Sequence, residues 1–227
     1  LEKALKLLPT VSFAQSYGMT EASPVVTVLD GDDHSLDVGR LPRLESVGRP
    51  VFHNHLKIVG ANGQALGVGE VGEIAVKGAN IMKGYWRAPQ QTADVLRNGW
   101  YHTGDSGYLD EDGYLFLAGR IKDMVVSGGE NVYPIEIENI LSRHPDIAEC
   151  AVIGVPHEKW GESVHAVVRL MGNAEASEQS IIDYCRERIA HYKCPTGVTF
   201  MDRPLPVSTV NKVLKSELKK MIAGCNK

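Results

Sequence analysis

The run Gly119–Asp123 (GRIKD) divides this sequence into two stretches whose residue patterns demand different architectures. No other feature bounds the fold as tightly. From Val47 to Leu117 short β-type runs (HLKIV, GEIAVK, YLFLAG) alternate with turns at Ala61-Asn62-Gly63, Asn98-Gly99 and Glu111-Asp112-Gly113. That pattern predicts a small antiparallel β subdomain, uninterrupted by a helix of any length. Beyond Gly119 the period changes. A run MVVSGG is followed by a helix opened by Pro134 (IEIENILSRH), strands AECAVIGV and SVHAVVRL, a helix from Ser177 to Ala190, a strand VTFM and a basic terminal helix. The expected class is α+β, a small antiparallel β subdomain followed by a compact α+β domain, divided as residues 1–119, a hinge at 120–123 and 124–227.

Upstream, LEKALKLLPT reads as the end of a helix stopped at Pro9, with a strand and turn in VSFAQSYG after it. A helix that opens at residue 1 with no N-cap reads as a chain entered in mid-domain. At 227 residues a sizeable core can be buried without a disulfide scaffold. Accordingly Cys150, Cys185, Cys194 and Cys225, which form no C-x-x-C pair, read as free thiols in a reducing compartment. Hydrophobic residues make up 43% and charged residues 23%, a balance that argues against disorder. No apolar run approaches the roughly 18–20 residues of a spanning helix and no signal-peptide pattern opens the chain, so no integral membrane segment and a cytoplasmic location are expected. A net charge of −4 argues against a nucleic-acid surface. The tail sets Lys212, Lys215, Lys219, Lys220 and Lys227 against Glu217, either a solvated helix face or a local field for an anionic substrate.

Neither G-x-x-x-x-G-K-[ST] nor G-x-G-x-x-G occurs, so any nucleotide site rests on other patterns. In QSYGMTE a purine can stack on Tyr17, Gly18 lets backbone approach a ligand, Thr20 can donate to a phosphate oxygen, and Glu21 can hold Mg²⁺. Alone, the same residues describe a strand-to-loop turn. YHTGD ends in Asp105 after a glycine turn, where a carboxylate can accept from both hydroxyls of a ribose or simply cap the turn. GRIKDMVVSGGENVYPIEIE pairs Arg120, suited to phosphate and ribose oxygens, with open backbone at Gly128-Gly129, otherwise an ordinary hairpin pair. In PLPVSTVNKVLK a single lysine, Lys212, follows a proline-bounded loop; as a bare observation it is a surface lysine. His53 and His55 in FHNHLK share one strand face and, with no third ligand, read as surface histidines.

Taken in this order and spacing, QSYGMTE, GEIAVKGANIMKGYW (Gly72–Trp86), YHTGD, the block Gly119–Glu138 and VNKVLK resemble the adenylating superfamily of acyl-CoA synthetases, peptide-synthetase adenylation domains and firefly-type luciferases. SGGENVYPIEIE with HEKWGE (His157–Glu162) and AHYKCP (Ala190–Pro195) looks like the fatty-acyl and aryl-CoA ligases in particular. The departures are His102 where arginine is common, Asn211 for a frequent glycine, and Cys194 where a basic residue is frequent.

The resemblance implies an AMP-forming acid–CoA ligase using ATP, Mg²⁺ and coenzyme A. A carboxylate attacks the α-phosphorus of ATP, pyrophosphate leaves, and the CoA thiol then attacks the acyl-adenylate and expels AMP. It places Glu21 on Mg²⁺, Thr20 on a phosphate oxygen, Tyr17 and Gly18 on the adenine side, Asp105 on the ribose, Arg120 on ribose or phosphate, and Lys212 at the reacting carboxylate and α-phosphate. The second domain would turn about Lys122 between half-reactions, replacing Lys212 by the Gly128-Gly129 turn along the pantetheine path, with Trp160 and Tyr192 on CoA. As bare residues, Trp160 reads equally as a core tryptophan and Tyr192 as a helix-end tyrosine.

By the same resemblance residues 1–119 are the end of a large N-terminal domain whose phosphate loop and acyl pocket lie upstream, so the chain is expected to be a fragment that is chemically silent alone. Fatty and aromatic acids both remain open as substrates. Two alternatives are an adenylation domain serving a carrier protein, which usually has a more basic text at VVSGGEN, and a non-catalytic binding module.

Overall fold

Short strands reversing at tight turns build the first half of the chain, where few residues separate one β-branched run from the next. The computed structural model describes residues 1–172, 174–209 and 211–225. After α1 (Glu2–Leu7), strands β1 (Gln15–Gly18), β2 (Val25–Leu29) and β3 (Arg49–Pro50) form an antiparallel sheet in the order β1-β2-β3. There follow β4 (Asn54–Val59), β5 (Gly72–Gly78), α2 (Pro89–Val95), β6 (Leu96–Arg97), β7 (Trp100–Leu109) and β8 (Leu115–Arg120). The second sheet runs β4-β5-β7-β6, with β8 also on β7, and all its pairs are antiparallel. Val26 of the first sheet packs with Ile58, Ile74, Val76 and Leu115 of the second in one core.

α2 corrects the expectation of a helix-free β subdomain. Pro89 stands in its first turn, and Thr92 Oγ1 donates back to the Ala88 carbonyl at 2.9 Å. None of its residues is buried, so it carries no apolar stripe by which a periodicity could reveal it. His53 also departs from expectation: it precedes β4, so it does not share a strand face with His55, although both are exposed.

The second half is one five-stranded sheet with helices on both faces. β9 (Val125–Ser127) and β10 (Glu130–Val132) form a hairpin, then come α3 (Pro134–Leu141), β11 (Ile147–His157), β12 (Gly161–Leu170), α4 (Glu178–Arg186), β13 (Gly197–Phe200) and α5 (Lys215–Cys225). The order is β10-β9-β12-β11, with β13 parallel to β12. Successive residues of a strand point to opposite faces. Val152, Val164, Ala166 and Val168 therefore meet Ile137 and Leu141 of α3 and Ile181 and Cys185 of α4, while Ala151, Ile153 and Val167 meet Leu218 and Ile222 of α5. Cover on both faces is why β11 and β12 read as near-continuous apolar runs. α4 opens at a capping box of Ser177 and Ser180 but ends at Arg186, short of the expected Ala190, because Arg188 N turns back to the Cys185 carbonyl at 2.9 Å.

The two compact units are Leu1–Ile121 and Lys122–Lys227, a division that falls inside the run 120–123. Cys150, Cys185 and Cys194 are free thiols; Cys225 and Lys227, named above from the sequence, lie outside the described side chains. Burial pushes the Cys150 and Cys185 thiols up to about 12, which keeps them protonated and unreactive at neutral pH. No helix among the described residues is long and apolar enough to cross a membrane.

Candidate functional site

In the first unit three of the sequence-selected side chains meet. Tyr17 at the end of β1 donates its hydroxyl to Asp105 Oδ2 at 2.7 Å, and Arg120 Nε at the end of β8 lies 2.8 Å from Asp105 Oδ1. Asp105 faces Arg120 in the β7–β8 register, so strand pairing itself delivers the carboxylate to the guanidinium. Tyr17 is only 9% exposed, and burial together with the Asp105 charge raises its pKa, so the phenol stays a donor throughout the physiological range. A carboxylate has about four acceptor sites. The contacts from Tyr17 and Arg120 occupy one on each oxygen and leave one on each, a pair of acceptors that two hydroxyl donors of a ribose would fill.

The glycine turn that YHTGD predicts before the aspartate is absent: Gly104 and Asp105 both lie on strand β7. β7 bulges at Thr103–Asp105, where Gly104 takes φ +70°. Thr103 Oγ1 donates to the Ile74 carbonyl at 2.9 Å and accepts from Asp105 N at 3.0 Å. Glu73 accepts from Gly104 N at 3.3 Å and lies 2.7 Å from His102 Nδ1. His102, the departure noted in the sequence, thus ties the bulge to β5.

Thr20 and Glu21 lie in a 3₁₀ turn, Thr20–Ala22, with Thr20 exposed and Glu21 half-buried. Gly18, just before it, has a reason of its own to be glycine: a Cβ there would overlap the Pro24 carbonyl, which accepts from Met19 N at 2.7 Å to close the loop. Tyr85 donates its hydroxyl to Glu21 Oε1 at 2.8 Å. Among the described residues no group of three or more His, Cys, Asp or Glu could hold a metal ion. Glu21 therefore offers one hard oxygen donor, and a Mg²⁺ ion there would need phosphate oxygens and waters to complete its shell.

The second unit carries the other selected residues, all exposed. Lys122 lies in the 3₁₀ turn Ile121–Asp123. Gly128 and Gly129 form the two-residue turn between β9 and β10 with φ +61° and +91°, a pair of left-handed values that side chains disfavour. The Trp160 carbonyl accepts from Gly128 N at 3.1 Å, and its indole, 40% exposed, stacks on His157 with centroids 4.3 Å apart. Trp160 is thus no core tryptophan, and the structure joins it to the glycine turn. Tyr192 sits in the 3₁₀ turn His191–Lys193 and is 52% exposed. Neighbouring Cys194 is buried and part of the core, so its thiol faces no ligand. Lys212 ends a loop in which Ser208 N donates to its carbonyl at 2.8 Å, and its side chain is exposed.

Sequence reasoning assigned no role to Tyr85 or Glu73. Both lie within the run Gly72–Trp86, but Glu21, the partner of the Tyr85 hydroxyl, is 64 residues away and the partners of the Glu73 carboxylate are 24–31 residues away, beyond the reach of local pattern.

The model of the AMP-binding enzyme family matches residues 1–86, and that of the AMP-binding enzyme C-terminal domain matches residues 136–212. The chain is similar to a feruloyl-CoA synthase of Amycolatopsis sp, 44% identical over 210 residues that cover 92% of this chain and 41% of that protein. It is also similar to a 2-succinylbenzoate–CoA ligase of Geobacillus kaustophilus, 45% identical over 208 residues, covering 92% and 41%. Among solved structures, the o-succinylbenzoate CoA synthetase of Bacillus subtilis in complex with its acyl-adenylate intermediate superposes with a TM-score of 0.85 at 38% identity, over 96% of this chain and 43% of that one. The chain spans about two fifths of the length of the curated relatives it matches.

Proposed function

The chain belongs to the AMP-binding enzyme family, and from that premise we propose that it is the carboxyl-terminal portion of an AMP-forming acid–CoA ligase. The observation that carries this reading is Asp105, held on both oxygens by Tyr17 and Arg120 with one acceptor site on each left for a ribose. An aromatic carboxylic acid is the favoured substrate class, since feruloyl and 2-succinylbenzoate name the acids of the relatives above. Aspartate 105 holds the ribose of ATP, and the ring of Tyr17 with the backbone at Gly18 forms the adenine side. Arg120 adds charge at the ribose or phosphate, and Thr20 donates to a phosphate oxygen. Mg²⁺, held by Glu21, would neutralise phosphate charge.

Lys212 meets the negative charge that develops as the substrate carboxylate attacks the α-phosphorus. A positioned donor of that kind contributes about 3–4 kcal/mol of transition-state stabilisation. For the second half-reaction the Gly128-Gly129 turn, with Trp160 beside it and Tyr192, takes the pantetheine arm, and Lys122 is the pivot of the exchange. The turn suits that task because two glycines leave a backbone edge clear of side chains.

Full-length enzyme should exchange pyrophosphate into ATP only when a cinnamate- or benzoate-type acid is present, and should form the thioester only when CoA follows. Acid-dependent exchange without any thioester would instead identify an enzyme that hands its acyl group to another acceptor, such as a carrier protein.

A further inference from the structure

A 3₁₀ turn of three residues cannot by itself fix the direction of a carboxylate, yet this turn is held from outside at three points by the loop after β5, two of them on Glu21 itself. Asn80 Nδ2 donates to the Ala22 carbonyl at 2.6 Å, Met82 N donates to the Glu21 carbonyl at 2.8 Å, and the Tyr85 hydroxyl donates to Glu21 Oε1 at 2.8 Å. Tyr85 is itself anchored: its backbone N–H donates to Thr92 Oγ1 at 2.9 Å, and Thr92 belongs to α2, the helix the sequence concealed.

We propose that Tyr85 is a positioning residue for the metal step: it ties up one oxygen of Glu21 and so presents the other, in a single orientation, to the cation that accompanies the nucleotide phosphates. The proposal rests on the reading of Glu21 as the Mg²⁺ ligand. Asn80 and Met82 hold the backbone of the turn and Tyr85 holds the carboxylate, so loss of the phenol alone frees the side chain without moving the turn. The short helix α2 thereby gains a function, as the anchor of the positioning residue.

The test is the Mg²⁺ dependence of acid-dependent ATP–pyrophosphate exchange by the full-length enzyme, wild type against Tyr85→Phe, Thr92→Val and Glu21→Gln. Tyr85→Phe should raise the half-saturating Mg²⁺ concentration about tenfold, the size expected for a lost hydrogen bond to a charged group. Saturating Mg²⁺ should restore its rate, and the consumption of pre-made acyl-adenylate by CoA should be unchanged. Thr92→Val, which loosens the anchor, should shift the same way by a smaller factor and serves if the first variant does not fold. A lower rate at every Mg²⁺ concentration with no shift in half-saturation, in either folded variant, would overturn the proposal by leaving Tyr85 a structural role only. Should Glu21→Gln leave the Mg²⁺ dependence unchanged, the reading of Glu21 itself fails; a shift in Glu21→Gln without one in Tyr85→Phe removes the positioning role alone.

Discussion

The two units solve the placement of polar groups in opposite ways. In Leu1–Ile121 the two selected carboxylates are fixed by other side chains: Tyr17 and Arg120 hold Asp105, and Tyr85 holds Glu21. In Lys122–Lys227 the apolar residues are consumed by a two-faced core, and Lys212, Trp160, Tyr192 and the Gly128-Gly129 turn stand exposed at loops. Groups held by partners pay their ordering cost on folding and meet a ligand ready-made. Groups on loops can come and go. A chemistry in which one ligand stays bound while a second arrives would use the first kind of residue for the ligand that stays.

If that contrast is right, Asp105→Ala should damage both activity and fold. It removes the proposed ribose acceptor and strands the Tyr17 hydroxyl without its partner in a buried position. An unsatisfied buried donor costs about 1–3 kcal/mol, and pyrophosphate exchange should fall on the order of a thousandfold. Thermal melting and exchange rates of the full-length variant measure the two effects, and an unchanged melting temperature would break the comparison.

Lys212→Ala should separate what Asp105→Ala combines. The side chain is exposed, so stability should stay within about 0.5 kcal/mol of wild type. Adenylate formation should drop by roughly a hundredfold or more, as for one lost oxyanion donor. Single-turnover consumption of pre-made acyl-adenylate by CoA should be spared. Equal losses in both half-reactions would place Lys212 at the site throughout and remove the contrast between held and arriving groups.

The same division governs what could be read in advance. β11, β12 and α3 were legible because long apolar runs and Pro134 are local signals. α2 was not, since seven residues with no buried side chain leave no period to find, and β10 was too short to separate from the glycine pair before it. Tyr17, Asp105 and Arg120 could be picked out as residue types in order, but the Tyr17–Asp105 bond spans 88 residues and no local rule joins them. The bulge at Gly104 looks in sequence like any glycine turn, which is why Asp105 was expected just after a turn and is found within a strand. Exposed residues of the second unit are easier to name and harder to assign, because nothing around them in the fold reports their task.

Gly128→Asn sharpens the comparison on the exposed side with a smaller effect. Asparagine tolerates the left-handed conformation, and Asn-Gly is the favoured pair for a two-residue hairpin turn. A Cβ there meets Trp160 Cδ1 at 3.6 Å, ordinary contact, so the fold should be unaffected. The added carboxamide stands beside the indole, and CoA-dependent turnover should slow by about three- to tenfold, roughly the effect of one displaced contact of 1 kcal/mol. Adenylate formation should not change. A bulky residue at Gly129 is the weaker experiment, because φ +91° would strain the turn and confuse folding with access.

The smallest effect concerns pH, and it tests whether polar groups of the second unit outside the proposed site are also lightly held. Glu149 accepts from Arg169 Nη2 at 2.8 Å and from Leu205 N at 2.9 Å, and the bond to Arg169, then that to Leu205, lowers its pKa below the ordinary carboxylate value. A lowered folded value means that the folded state favours the charged form. The stabilisation is therefore complete above the unfolded pKa of about 4.3 and is lost as pH falls through the lower folded value. Both side chains are about one third exposed, so solvent screens the pair and its contribution at pH 7 is small. Glu149→Gln should then cost little at pH 7 and converge with wild type as the pH falls below the lowered folded value, where both carry a neutral side chain. By contrast, the cost of Tyr17→Phe should not change between pH 5 and pH 8, since burial keeps that phenol protonated. Urea melts across this range decide the matter: a Glu149→Gln loss that persists undiminished as the pH falls below the lowered folded value would mean that packing, not charge, ties Leu205 to the sheet, and the second unit would then be as firmly pinned as the first.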